Sequence, residues 1–400
     1  MQPLKISIFG EFWDCQIYRG RLYLFDFEGK LTVYNWNEII HKIEIEENNQ
    51  LAFECAFIKS SYLYRYNDIF NDSEFKSVLL NKFNRLEDKV IQFSIDDIKS
   101  CIIGEMENPF DSFPIDSEIS SNKIYSITDS GLWSSTAHRP KSNKYPISSR
   151  PIKLFDAKLL AISANNYASI AISAGSDGLF QYSNKEKEYD LSNIMFRGLK
   201  VEKEISQLSE KHSLFSDWSN LSIFSSSDIS GSYMSIFKWS GDRNVGFVRK
   251  KEREESVESI FQEYSSENGL VWGGGDKIYK SLENELLMIR FNNYAKENEG
   301  ESLFGEVERI PLTRKIKSVL ESKVCLFGTI IETDSGLIVI GSDGSFFEIK
   351  EIPVRWRVYP RSIDFENHLH VIHEDRIDIF SFNHDYFIEQ RSKKIGLIQK

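Results

Sequence analysis

The chain has 400 residues, 41% of them hydrophobic and 13% aromatic, which is enough apolar material for a large core and excludes a disordered chain. With 60 Asp and Glu against 49 Lys and Arg, the formal net charge is -11, which argues against non-specific attraction to nucleic acid or anionic membrane over most of the surface. No run approaches the ~20 apolar residues of a membrane span, and Met1 to Ser7 leads straight into strand-like sequence without the apolar segment of a signal peptide, so no membrane partner is expected.

In chain order, one pattern recurs: an apolar strand, a tight polar turn, then a second strand carrying aromatics. It appears as RLYLFDFEGKLTVY (Arg21 to Tyr34), KIYSITDSGLWS (Lys123 to Ser134) and SIAISAGSDGLFQY (Ser169 to Tyr182). Leu221 to Trp239 holds a looser copy around SSSDISGS, followed by GLVWGGGDKIYK, GLIVIGSDGSFFEI and HLHVIHEDRIDIFSF, the last ending at Phe382. Gly175 to Gly178 and Gly341 to Gly344 both read Gly-Ser-Asp-Gly, which supplies the positive φ angles of a tight hairpin turn. Leu22 to Phe25 and Leu337 to Ile340 are apolar on both faces, unlike the alternation of a sandwich strand. Two to four turn residues join the pairs, too few for the helical crossover of a parallel sheet. Strands covered on both sides and joined by short turns fit the blades of a propeller.

The wide gap between the first two copies is read as hiding a further blade, with inner strands at Leu51 to Ile58 and Tyr62 to Tyr66 and an outer one at Val90 to Ile95. This makes eight hairpins by count, with seven blades as the alternative. In the last copy, strands are expected near Ser362 to Phe365, His368 to Ile372 and Arg376 to Phe382. Ile6 to Phe9 is then free to supply the missing outer strand and remove an open edge. The expected fold is all-β: residues 1–400 as one β-propeller of four-stranded blades, closed by its N-terminal strand. Residues 67–88 place Phe75, Val78, Leu79, Phe83 and Leu86 at helical spacing and are read as a helical insertion. Long loops are expected at 134–154 and 183–211, and a charged turn or helix at 249–263.

In the form of this repeat the chain resembles the β-propeller superfamily, most like divergent WD-repeat or quinoprotein-like rings. The Gly-His and Trp-Asp pairs of WD repeats are missing from blade ends. Trp13-Asp14 is the one Trp-Asp pair, and it precedes a strand instead of ending one. No narrower family follows.

Chemistry-bearing motifs are few. Cys15, Cys55, Cys101 and Cys325 lie far apart without Cys-x-x-Cys spacing, as expected of reduced thiols in a cytoplasmic protein. Four of the seven histidines cluster, at His368, His370, His373 and His384. On a strand His368 and His370 share a face that His373 does not, so they form at most a weak metal pair, against the three or four ligands a zinc site needs. Gly175-Ser176-Asp177-Gly178 lacks the spacing of a hydrolase elbow. Gly273-Gly274-Gly275 lacks the Lys-Ser/Thr of a phosphate loop. No cofactor and no catalytic residue are assigned.

Between Asp129 and Asp156 there is no acidic residue, while Arg139, Lys141, Lys144, Arg150 and Lys153 all occur. Pro140, Pro146 and Pro151 keep this stretch from forming a helix. It is read as an exposed basic loop, with Tyr145 as added stacking surface. A second basic segment runs from Val354 to Arg361. Alternation puts Arg355, Arg357 and Tyr359 on one face and Trp356 and Val358 on the other, as in an outer blade strand with a solvated basic side. Either segment is a solvated surface or a partner contact.

The leading functional reading is a non-catalytic protein-protein interaction scaffold, a subunit of a larger cytoplasmic complex. The second is a nucleic-acid-associated subunit, as in a defence or RNA-processing assembly, acting through the basic loops. The third is a propeller enzyme with its site in the central channel. The Ile-, Asn- and Lys-rich composition fits an AT-rich bacterial source.

Overall fold

A computed structural model describes residues 2–43, 49–65, 68–87, 89–110, 112–137, 147, 150–165, 169–184, 203–227, 231–242, 246–264, 269–282, 284–316 and 318–397. The fold is all-β and of the β-propeller type, with seven blades. The first blade is built from Asp14–Tyr18, Arg21–Phe25, Leu31–Asn35 and Ile102–Met106, and the second from Asp116–Ser120, Lys123–Thr128, Gly131–Thr136 and Ile152–Phe155. The third holds Ala161–Ala164, Ser169–Ser173, Leu179–Asn184 and Lys203–Ser209. Phe215–Ser219, Ser222–Ser226, Tyr233–Asp242 and Gly246–Ser256 make the fourth, and Val271–Gly274, Lys277–Ser281, Glu285–Phe291 and Phe304–Pro311 the fifth. The sixth is Glu321–Cys325, Gly328–Thr333, Gly336–Gly341 and Phe346–Ile349. Five strands form the seventh, in the order Arg355–Val358, His368–Ile372, Arg376–Ser381, Leu4–Phe9, Ile91–Ser94.

Contacts cluster into two compact units: Met1–Pro114 with Ser135–Pro151 and Val324–Lys400, and Ile115–Ser134 with Ile152–Lys323. Within the second unit the first strands of the second to fifth blades pack against one another in succession. Within the first unit, the first strand of the first blade packs on that of the seventh.

Each of the seven sequence copies falls in a different blade, and the two-faced burial they imply is observed: Leu22 to Phe25 and Leu337 to Ile340 are buried throughout. Gly178, with φ of +94°, is one of the turn positions that needs glycine, because a Cβ there would collide with the carbonyl of Ser209. The fourth blade is less obvious from its letters. All residues of Phe215–Ser219 and Ser222–Ser226 are buried, serines included. Some of its hydroxyls are hydrogen-bonded in a chain: Ser225 Oγ donates to Ser213 Oγ at 2.8 Å, and Ser213 Oγ to Ser173 Oγ of the third blade at 2.9 Å.

The blade count by period is corrected from eight to seven. The supposed inner strands of the extra blade are the helices Gln50–Phe57 and Ser61–Tyr64, and Ile91–Ser94 pairs in parallel with Leu4–Phe9 as the fifth strand of the seventh blade. A run such as LAFECAF is apolar enough for a buried strand or a buried helix, and only its partners decide. The helical insertion is therefore longer than 67–88: it begins at Trp36–His41 and ends with Ser73–Leu86. Asp72 caps this last helix by accepting from the backbone N–H groups of Glu74 and Phe75, both at 2.9 Å.

Leu4–Phe9 pairs antiparallel with Arg376–Ser381, as expected of a strand free to extend the last blade. The first strand of that blade, however, is Arg355–Val358, while residues 362–365 form a bend in the connection to His368–Ile372. The expected loop at 134–154 contains the strand Ile152–Phe155, and that at 183–211 the strand Lys203–Ser209; residues 138–146, 148–149 and 185–202 lie outside the described residues. The charged segment 249–263 is mainly strand, through Ser256, followed by the short helix Val257–Phe261. Pairing with Tyr233–Asp242 decides this, because charges spaced along a two-stranded ribbon can stay in water.

Candidate functional site

Of the residues expected in the basic loop, Arg139, Lys141, Lys144 and Tyr145 lie outside the described residues. The segment is rooted in the first unit: Tyr23 Oη in the first blade donates to Ala137 O at 2.6 Å, and Ile147 is buried. Arg150 is exposed. Lys153 sits on an outer strand instead of a loop, paired with Asp156 at 3.1 Å and lying over the Trp133 ring.

Arg355 and Arg357 share one face of their strand with Tyr359, as alternation predicts, and that face meets the first strand of the first blade. It is not the solvated side of an outer strand. Arg357 grips the buried Asp14 in a fork, Nε to Oδ1 and Nη2 to Oδ2, both 2.8 Å. Asp14 Oδ1 also accepts from the backbone N–H of Cys15 at 2.8 Å. This device recurs in two other first strands: Asp116 accepts from Ser117 N and from Ile162 N in the neighbouring blade, and Asp217 accepts from Trp218 N and from Ser163 Oγ. A buried aspartate that binds the next N–H and reaches across to the adjacent blade is a repeat signature invisible to a search for matching letters. The pair Trp13-Asp14 belongs to it.

Below Arg357 the same face is buried and uncharged. His368 Nε2 lies 2.9 Å from the carbonyl of Ala56, an acceptor only, so this nitrogen carries the proton. His368 Nδ1 then accepts from His370 Nε2 at 3.3 Å, and His370 Nδ1 accepts from Tyr359 Oη at 3.2 Å. Burial holds His368 down at about 4 and His370 well below its ordinary value, and pushes the Cys15 thiol, 3.6 Å from His370 Nδ1, up to about 12. Ala56 O also accepts from Asn367 Nδ2 at 3.2 Å and Ser381 Oγ at 2.8 Å. The carbonyl thus left over near the end of a helix is fully used, and the helical insertion is fastened to the seventh blade. As expected, His368 and His370 share a face, but the interactions of their rings tie one blade to a helix. Among the described residues no three His, Cys, Asp or Glu converge as metal ligands.

Above Arg357 the chemistry changes. Arg355 lies over the Trp13 ring, 4.9 Å from its centroid. Phe113 packs on the same ring at 4.6 Å and Phe27 edge-on at 5.8 Å, and Trp13 Nε1 donates to Pro114 O. Phe27, on a strand-to-strand turn, is 44% exposed. Three aromatics and an arginine from four separate segments of the first unit therefore form one surface cluster. Sequence reasoning found only Arg355 of the four; Trp13 was visible as half of a Trp-Asp pair, while Phe27 and Phe113 carried no signal beyond being aromatic.

The second unit carries a cleft of about 660 Å3 between its fourth and fifth blades. Leu221, Lys238, Trp239, Glu252 and Arg253 line it from the fourth blade as one wall, and the segment Asn293 to Glu299 forms the other.

With this geometry the chain has the β-propeller fold, and no narrower family is shown. No family model matches it and no curated protein matches it. Among solved structures it is similar to Chaetomium thermophilum Sqt1 bound to the N-terminus of ribosomal protein L10 (11% identity, 68% of this chain and 73% of that one, TM-score 0.39). It is also similar to a functionally unknown protein of Desulfotomaculum acetoxidans (12%, 91% and 90%, 0.42) and to yeast RCC1 bound to Kap60 (10%, 95% and 81%, 0.35).

Proposed function

We propose that the chain is a protein-protein interaction scaffold, a subunit of a larger cytoplasmic assembly, and that the Trp13, Phe27, Phe113 and Arg355 cluster is a principal contact. The cluster carries this reading. Tryptophan and arginine are the residue types that dominate binding hot spots, and here they are pre-arranged by packing, so little side-chain freedom is lost on association. The buried histidines, by contrast, are committed to holding the frame together. The cytoplasmic setting accords with four cysteines that are all free, buried thiols. Propellers similar in fold include one bound to a ribosomal-protein segment, and that is a property of that protein.

The test is a pull-down from native lysate with the tagged full chain, the partner identified by mass spectrometry. The double substitution Phe27→Ala, Arg355→Glu should lose the partner at least tenfold, a loss of ~1.4 kcal/mol or more. A partner retained at the wild-type level removes the cluster from the reading. A second reading, nucleic acid on the basic segment, draws on Arg139, Lys141, Lys144, Arg150 and Lys153 occurring without an acidic residue between Asp129 and Asp156. Nucleic acid recovered with the wild type and lost on changing Arg139, Lys141, Lys144 and Arg150 to Ser would favour it over the first.

A further inference from the structure

The cleft of the second unit has a feature that its role in the frame does not explain. Lys238 and Arg253 project from the ribbon of the fourth blade, and each has a carboxylate on its own ribbon: Lys238 Nζ is 3.1 Å from Glu252, and Arg253 Nε is 2.9 Å from Glu255. Both cations nevertheless converge on a third carboxylate brought in from the other wall. Arg253 meets Glu297 end-on, Nη2 to Oε1 at 2.7 Å and Nη1 to Oε2 at 3.3 Å, and Lys238 Nζ is 3.3 Å from Oε2. That is the two-point geometry with which an arginine recognises a carboxylate.

Glu297 sits on a single turn, Glu297–Glu299, ended by Gly300 in the left-handed region. The segment carrying it is pinned to the fourth blade at its base: Asn293 Nδ2 donates to Phe237 O at 3.1 Å, and Ser222 Oγ donates to Asn293 Oδ1 at 2.6 Å. The base is therefore fixed to the fourth blade by buried hydrogen bonds, whereas Glu297 at the tip meets that blade through ion pairs at the surface. Exposed pairs are weak and exchange readily, whereas buried hydrogen bonds to a fixed partner do not. Beside this tip, Tyr294 is 56% exposed, and Trp239 lines the opposite wall.

We propose that the cleft receives an acidic peptide segment of a partner protein, whose carboxylate replaces Glu297 on Lys238 and Arg253 while a neighbouring aromatic or aliphatic side chain lies between Tyr294 and Trp239. This deepens the interaction reading and rests on it. The exchange swaps one carboxylate for another on the two cations, so it leaves no cation unpaired, and the displaced Glu297 carboxylate turns out to solvent. A peptide without a carboxylate has nothing to offer the two cations and leaves Glu297 in place. Glu297 thus acts as an internal competitor that sets the threshold for binding.

The experiment is selection of a random-peptide display library on the immobilised full chain, with selected peptides remeasured by fluorescence anisotropy. Three variants are compared with the wild type: Glu297→Gln, the double variant Lys238→Ser, Arg253→Ser, and the charge-reversing Arg253→Glu, each checked by circular dichroism for an unchanged fold. Wild type should enrich Asp or Glu next to an aromatic or aliphatic residue. Glu297→Gln should bind the same peptides more tightly, by up to about fivefold, as expected from removal of one exposed ion-pair competitor. The double and reversed variants should lose more than ~10-fold. Selection of neutral or basic peptides, equal enrichment on the double variant, or weaker binding by Glu297→Gln each overturns the proposal. The native partner still coming down with the double variant would then leave the scaffold reading standing and this cleft outside it.

Discussion

At the scale of the residue, the buried pair of Asp14 and Arg357 decides how the basic segment at 355–361 is to be understood. An arginine on an outer strand would be dispensable. This one neutralises a fully buried carboxylate that is also tied to Cys15 N. Removing one partner of such a pair strands the other's charge, which costs about 3–5 kcal/mol, whereas replacing both by neutral groups of similar size costs far less. Arg357→Ala should therefore lower the unfolding free energy by about 3–5 kcal/mol, and Asp14→Asn combined with Arg357→Met should recover most of that loss. Urea titration of the wild type, Arg357→Ala and the double variant makes the comparison, and a double variant as unstable as Arg357→Ala would show that the pair is not coupled. The alternation that groups Arg355, Arg357 and Tyr359 could be read from the letters. What that face meets could not, because Asp14 lies more than 340 positions away and nothing local marks it as the counter-ion.

At the scale of the element, the helical insertion shows where pattern reading stops. The helix Ser73–Leu86 was legible in its amphipathic spacing, with Leu79, Phe83 and Leu86 buried. The helix Gln50–Phe57 was not, because burial on nearly every side erases periodicity: Ala52, Phe53, Cys55, Ala56 and Phe57 are all buried. Its attachment through Ala56 O to His368 makes the element sensitive to acid. Burial holds the His368 pKa at about 4, below the ordinary 6.5, so the folded state favours the neutral ring. That stabilisation is complete above pH 6.5 and is lost as the pH falls from 6.5 towards 4, by up to about 3 kcal/mol for this one group. Hydrogen exchange of the amides in Gln50–Phe57 should accelerate over this range by more than the exchange of Leu337 to Ile340, a strand in a separate blade. In His368→Gln, whose amide can still donate to Ala56 O, the difference between the two segments should depend less on pH than in the wild type, the remainder coming from the buried His370. Equal acceleration in the wild type would mean that the insertion is not fastened through this histidine.

At the scale of the whole molecule, seven hairpins were legible because each combines a two-faced apolar strand with a short turn, and all seven copies fall in different blades. The spacing between copies misled, because it assumes an unbroken period, and the chain inserts helices within the first blade. Phase added to the difficulty. Arg21 to Tyr34 covers the second and third strands of its blade, Gly336 to Ile349 the third and fourth, and Gly269 to Lys280 the first and second, so aligning the copies by letter compares different strands.

The strand Leu4–Phe9 is the piece of this organisation most open to a direct test. It was expected to extend the last blade, and it does more: it lies between Arg376–Ser381 and Ile91–Ser94, with Ile6 opposite Ile379 on one side and Ile91 on the other. A strand paired on both edges tolerates no proline, whose ring removes a ladder hydrogen bond and which is otherwise confined to sheet edges. Ile6 is also completely buried, so the substitution loses its packing as well. Ile6→Pro should lower the unfolding free energy by at least ~3 kcal/mol and leave the hydrogen-bonding edge of Arg376–Ser381 open to pair with other molecules. The expected outcome is a melting temperature lowered by several degrees, together with concentration-dependent association in light scattering. Ile6→Val, which keeps the ladder and removes one methyl group, should cost only about 1 kcal/mol and remain as monodisperse as the wild type. If Ile6→Pro melts and scatters like Ile6→Val, the N-terminal strand is not needed to cover the edge of the seventh blade.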